Sequence, residues 1–185
     1  WNDPVNLGPT INTARNEPSP VLHTDSKTLY FSSNAHDGLG GQDVFYSKLD
    51  AKKQWTAPKN IGYPINTEND EVDFFVSLDG KTGYFSSNNY GDQDWNIYQF
   101  ELYEEARPHT MVIVKGKVSV DEGDLENAVV EIRDTNANVV STGIVSAAQG
   151  KYAVAAEVHH DNPQPLIVNV KKEGYSFAKQ IITPE

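Results

Sequence analysis

The chain has 185 residues, 38% of them hydrophobic, and a formal charge of −11 from 26 acidic and 15 basic side chains. It has no cysteine, which excludes disulfides, thiolate catalysis and cysteine-ligated zinc. Lys and Arg gather into no stripe, which argues against nucleic-acid binding through phosphate neutralisation, and no apolar run approaches the ~18 residues a membrane-crossing helix needs.

In chain order, Trp1 through Leu7 opens the sequence with a Pro-containing extended segment. Pro20 through Thr24 is a candidate strand, and Asp25-Ser26-Lys27 a turn. Thr28 through Ser33 is rich in β-formers, Asn34 through Gln42 is a Gly-rich loop, and Asp43 through Leu49 is a third strand. Trp55 through Ile61 is the fourth, with Pro58 suited to an outer edge. Strands over Asp73 through Leu78, Thr82 through Ser87 and Asn96 through Leu102 follow, with Asp79-Gly80-Lys81 as the second turn.

These two stretches are copies. Trp1 through Asn34 reads again as Trp55 through Asn88 at an offset of 54, the difference between 55 and 1. The landmarks are Trp1/Trp55, Pro4/Pro58, Asn6/Asn60, Gly8/Gly62, the Ile-Asn-Thr triplets at Ile11 and Ile65, Glu17/Glu71 and Asp25/Asp79. Tyr30-Phe31-Ser32-Ser33-Asn34 is identical to Tyr84-Phe85-Ser86-Ser87-Asn88. At Asn96 the offset slips to 53, so one loop residue is lost where length changes are tolerated. A strand-rich period of this length predicts propeller-type blades, here two in an incomplete ring. Trp1 through Leu7 matches the fourth strand of the first blade, and the second blade stops after its third strand. The expectation is a piece of a larger propeller, spanning residues 1–103, whose open blade edges invite self-association.

Tyr103 through Pro108 breaks the pattern, and residues 104–109 read as a linker. Residues 110–185 predict a separate small β-sandwich. Its strands fall at Met111 through Val120, Val129 through Arg133, Asn138 through Thr142, Lys151 through Ala155, Leu166 through Val170 and Tyr175 through Ile182. No segment carries a sustained helical period, so the whole chain is expected to be all-β.

The chemistry-bearing residues favour structural roles. Ser32-Ser33 and Ser86-Ser87 recur at equivalent places, where their hydroxyls would satisfy backbone groups, and no Gly-x-Ser-x-Gly elbow occurs. His159-His160-Asp161 is a tight metal-capable cluster, but adjacent strand residues face opposite ways and a zinc site needs about four ligands. His23 reads as a packed histidine, with His36 in a loop and His109 near the linker. Asp37, Asp43, Asp92 and Asp94 flank Gly-rich loops without calcium-loop spacing, and Asp43 and Asn96 read as strand-end caps. Gly38-Leu39-Gly40-Gly41 lacks the Lys and helix of a phosphate-cradling loop. No catalytic, cofactor or metal residue is expected. Most repeated aromatics read as blade core. Tyr63, Tyr90, Trp95 and Tyr103 have no repeat partner and are the candidate partner contacts.

The pattern Trp-x-x-Pro-x-Asn-Leu-Gly, Ile-Asn-Thr, Asn-Glu, Tyr-Phe-Ser-Ser-Asn and Gly-Leu-Gly-Gly-Gln-Asp-Val-Phe resembles TolB-like, WD-type periplasmic propeller repeats of Bacteroidetes envelope proteins. Lys115-Gly116-Lys117-Val118, Leu125 through Ile132, Gly150-Lys151-Tyr152 and Lys172 through Phe177 resemble a carboxypeptidase regulatory-like (transthyretin-like) sandwich. The combination is similar to OmpA-family outer-membrane proteins linked to type IX secretion. That resemblance implies a non-enzymatic scaffold in the periplasm, associated with the outer membrane. Its partners would be other envelope or secretion-system proteins, with peptidoglycan bound only through a domain absent from these residues. The alternatives are a glycan- or peptide-binding module and an accessory domain of a secreted peptidase.

Overall fold

The computed structural model describes residues 3–89, 94–159, 164–174 and 178–183. The chain forms two compact units, Trp1–Pro108 and His109–Glu185. Both are built from antiparallel sheets. The only helical turn among the described residues is a three-residue 3-10 turn.

In the first unit, β1 (Val21–Leu22), β2 (Thr28–Ser33), β3 (Asp43–Lys48) and β4 (Lys59–Asn60) form one sheet in that order. A second sheet holds β5 (Glu71–Val76), β6 (Thr82–Ser87) and β7 (Asn96–Glu101), also in sequence order. The registers repeat as the sequence does: Phe31 pairs with Phe45 in the first sheet, and Phe85 with Tyr98 in the second. The turn between the first two strands is also shared. The Asp25 carboxylate accepts the Lys27 and Thr28 amides, and Asp79 accepts the Lys81 amide. Ser26 and Gly80, equivalent positions, both have positive φ (56° and 75°), a conformation that costs glycine nothing.

Alternation along a strand gives each sheet two faces. All six residues of β2 are buried because its sheet is covered on both sides. Leu29, Phe31 and Phe45 pack with Ile11 and Trp55 on one side. Tyr30, Val44 and Tyr46 pack on the other with Phe74, Val76 and Phe85 of the second sheet. Burial of such side chains contributes about 1.5–3 kcal/mol each. The far face of the second sheet has no such cover, and β7 is almost wholly exposed or half-exposed.

The fourth strand is shorter than the sequence suggested. Only Lys59 and Asn60 pair with β3, with a single bridge from Trp55 to Leu49. Pro58 has no N–H to extend that ladder. Residues 3–7 form no strand and lie exposed. The segment read as a linker is packed within the first unit. Glu104–Ala106 is the 3-10 turn, and Ala106 is fully buried. The Tyr30 hydroxyl donates to the Ala106 carbonyl (2.6 Å), and Lys48 Nζ donates to the carbonyls of Glu105 (2.9 Å) and Arg107 (2.8 Å). Burial pulls the Lys48 ammonium below its ordinary pKa.

The second unit has β8 (Met111–Lys117), β9 (Val129–Arg133), β10 (Val139–Ile144), β11 (Lys151–Glu157), β12 (Leu166–Lys171) and β13 (Ala178–Ile182). One sheet has the order β10-β9-β12-β13, and β11 pairs with β8 in another. Both sheets supply one core: Val130, Ile132, Leu166 and Val168 from the larger, and Val114, Val154 and Ala156 from the smaller. Tyr175, Ser176 and Phe177 of the expected last strand lie outside the described residues.

Candidate interaction surface

The repeated polar residues of the first unit form a network that is built twice. In the first copy, Glu17 accepts the Thr13 amide (3.1 Å), the Thr13 hydroxyl (2.5 Å) and the Ser33 hydroxyl (3.3 Å). In the second, Glu71 accepts the Thr67 amide (2.9 Å), the Thr67 hydroxyl (2.7 Å) and the Ser87 hydroxyl (3.1 Å). Asn34 and Asn88 each accept a backbone amide, from Asn16 and Asp70. Burial acts to raise the Glu17 pKa, yet the Thr13 and Ser33 hydrogen bonds and the nearby His36 hold it below the ordinary value. The hydroxyls of Ser32, Ser33 and Ser87 are therefore occupied. Ser32 donates to the Glu71 carbonyl, and Ser33 and Ser87 also accept amides that follow their strands.

Several other chemistry-bearing residues are similarly committed, whereas Asp37, Asp94 and His159 lie exposed. His23 is buried; Nδ1 accepts the Asp25 amide, which leaves Nε2–H to donate to the Ser77 carbonyl (3.3 Å). His36 packs against both Phe31 and Phe45, with Nε2 3.0 Å from the Ile11 carbonyl. His109 pairs with Glu157 (2.5 Å). Asp43 caps its own loop, accepting the Leu39 (2.7 Å) and Gly40 (3.2 Å) amides. Its burial raises the carboxyl pKa against those two hydrogen bonds, and the Asp70 charge adds to the rise. Gly40 is glycine because a Cβ there would stand 2.3 Å from the Thr67 carbonyl oxygen. Among the described residues no three His, Asp or Glu side chains converge as metal ligands would. His160, Asp161 and Asp92 lie outside the described residues.

Of the four candidate contact aromatics, Tyr90 also lies outside the described residues. Tyr63 is 82% exposed, between Gly62 and the cis-bonded Pro64. Trp95 is 53% exposed, just before β7. Tyr103 packs edge-on against Tyr46 (ring centroids 6.5 Å apart), and burial pushes its hydroxyl pKa up. Among the described residues no ring contact joins Tyr63, Trp95 and Tyr103, so they do not form one aromatic patch.

The exposed surface that stands out is one the residue types did not suggest. Val44 in β3 is fully buried, and its backbone is held on the outer side by Asn66: Oδ1 accepts the Val44 amide (2.8 Å), and Nδ2 donates to the Val44 carbonyl (2.8 Å). The Ile61 amide donates to the same carbonyl (3.0 Å). At the 53-residue offset the counterpart of Val44 is Ile97 of β7, which is 79% exposed on an edge strand. Phe75, on the adjoining open face, is 52% exposed and lies 6.1 Å from the Tyr84 ring. The slipped offset sets Ile97 over a core valine, and among the described residues no fourth strand joins β7, in keeping with the open blade edge expected from the repeat.

No family model matches this sequence, and no curated protein matches it. Among solved structures, one similar chain is described as "Biofilm associated protein - BSP domain". It is 13% identical, the match covers 90% of this chain and 29% of that one, and the TM-score is 0.29.

Proposed function

We propose that this chain is a non-enzymatic scaffold module that works by protein–protein contact. The observation that carries the reading is the double wiring of its repeated polar residues. The repeated Asn, Thr, Ser and Glu side chains hold each repeat together. Strand edge and apolar surface at β7 face outward. A sheet edge and its adjoining apolar face suit recognition of another chain.

In this reading the two sheets of the first unit are propeller-type blades of an incomplete ring, and the second unit is a transthyretin-like sandwich. The shared register and turn chemistry support the first, and the two-sheet core supports the second. The sequence resemblance to OmpA-family envelope proteins supports a periplasmic setting at the outer membrane, with secretion-system or other envelope proteins as partners. Peptidoglycan would be bound only by a domain outside these residues.

The test is capture from outer-membrane extract on the immobilised chain, with an Ile97→Lys variant as control and mass spectrometry as readout. Enrichment of envelope secretion proteins by the wild type but not the variant is the expected result. Equal capture by both, or none by either, would count against the reading.

A second reading rests on the second unit. An open groove there is lined by Ile144, Val145, Tyr152, Lys115, Lys117 and Lys151, and Ile144 is 78% exposed. An aromatic ring among exposed apolar and lysine side chains would suit a glycan or peptide, and retention on a glycan array would favour it.

A further inference from the structure

We propose that the outer edge of β7 is a docking site for the segment Val5–Asn12 of a second copy of this chain, joined head to tail. The chain carries its own template for this contact. β4 docks on the outer edge of β3 with Asn60 opposite Phe45 and Lys59 opposite Tyr46. The repeat offsets convert that pairing into Asn6 opposite Tyr98 and Val5 opposite Gln99. They also convert the Asn66 clamp on Val44 into an Asn12 clamp on the Ile97 backbone, with the Leu7 amide reaching the Ile97 carbonyl.

Both halves of the contact are open and preshaped. Val5 is 82% exposed and Leu7 44%, whereas Ile61, the counterpart of Leu7, is 3% exposed. Ile97 is the exposed counterpart of fully buried Val44. The turn of the donor segment, Asn6 through Asn12, already has the hydrogen bonds of its docked counterpart. Asn6 Oδ1 accepts the Gly8 amide (2.8 Å) and Asn12 Nδ2 (3.0 Å), as Asn60 accepts the Gly62 amide (2.7 Å) and Asn66 Nδ2 (2.8 Å). Gly8 and Gly62 share the same positive φ, 84° and 82°. Asn66 makes its bond to Asn60 while gripping Val44, so Asn12 can do the same. Preorganisation of this kind lowers the ordering cost of association.

The segment of this chemistry on the page is the chain's own, which identifies the partner as a second copy. The contact is heterologous, with a donor end and an acceptor end on every copy, so it can propagate beyond a dimer. The inference rests on reading the β7 edge as an interaction surface.

The test is sedimentation of the 185-residue chain across a concentration series, with Asn12→Ala and Ile97→Lys variants. Both positions are at least partly exposed, and circular dichroism checks that each variant folds. The wild type should associate with rising concentration, and each variant alone should do so at least about tenfold more weakly. The two variants mixed should form a 1:1 pair, because Ile97→Lys keeps an intact donor and Asn12→Ala an intact acceptor. A wild type that stays a single-chain species throughout, or a mixture that fails to pair, would overturn the proposal. If Ile97→Lys nevertheless abolishes capture of envelope proteins, the edge remains an interaction surface for a different partner. If neither assay responds, both readings fall.

Discussion

Ser19 and Asp73 occupy the same place in successive repeats and hydrogen-bond to each other, Ser19 Oγ donating to Asp73 Oδ1 at 2.6 Å across 54 residues. Both have positive φ, 53° and 54°, so the same backbone kink falls two residues before β1 in the first repeat and inside β5 in the second, where the pairing register shifts between Val72 and Phe75. His23 and Ser77 are a second such pair, ring to carbonyl. Contacts between equivalent positions are what stacking of like units produces, since a constant step from one repeat to the next brings each residue near its own counterpart.

The clamp of Asn66 on Val44 predicts unequal effects at equivalent sites. Asn66→Ala should destabilise the first unit by about 1–3 kcal/mol, because it leaves the buried Val44 amide unpaired, while the Val44 carbonyl keeps the Ile61 amide. Asn12→Ala should cost dilute single chains less than about 0.5 kcal/mol, since no strand is gripped there. Urea unfolding at low concentration distinguishes the two.

Two perturbed carboxylates of the first unit, Glu17 and Asp43, predict opposite pH trends. Glu17 has a folded pKa below its ordinary value, so its stabilisation is present above that ordinary value and is lost as pH falls through the lowered one. Glu17→Gln should therefore be less stable than wild type near pH 7, with the gap closing in acid. Thermal melts across acidic pH check this.

Asp43 runs the other way. Its folded pKa is raised, so the fold favours the protonated form and a cost sets in as pH rises above the ordinary aspartate value through the raised one. Asp43→Asn removes that titration. The stability of wild type relative to this variant should fall between acid and neutral pH, measured in the same melts.

Tyr30→Phe should cost about 1–2 kcal/mol and loosen residues 104–108, because the Tyr30 hydroxyl holds the Ala106 carbonyl in a buried setting. Denaturant unfolding reads the first effect and local amide exchange the second.

Much of this was legible in the sequence because the repeat is written in residue identity. The strands over Thr28–Ser33 and Thr82–Ser87 follow directly from dense β-formers between turn residues. Less legible was anything set by distant partners. Glu104-Glu105 beside Pro108 looks like linker sequence, yet Tyr30 and Lys48 bind its carbonyls from 57 to 76 residues away. Tyr103, which precedes the 3-10 turn, reads as unpartnered because its partner Tyr46 stands in β3, far away in sequence. Ile97 reads as core by residue type, since an isoleucine in a strand usually is. Its exposure follows from the open edge of the second sheet, a property of the repeat and not of the residue.

The two repeats share one design, closed at Val44 and open at Ile97. Amide hydrogen exchange at those two residues, in dilute and concentrated solution, is the sharpest check. The Val44 amide should be protected at both concentrations, and the Ile97 amide should exchange fast when dilute and slow on concentration. An Ile97 amide protected as well as Val44 in dilute solution, or a Val44 amide as fast as Ile97, would contradict it.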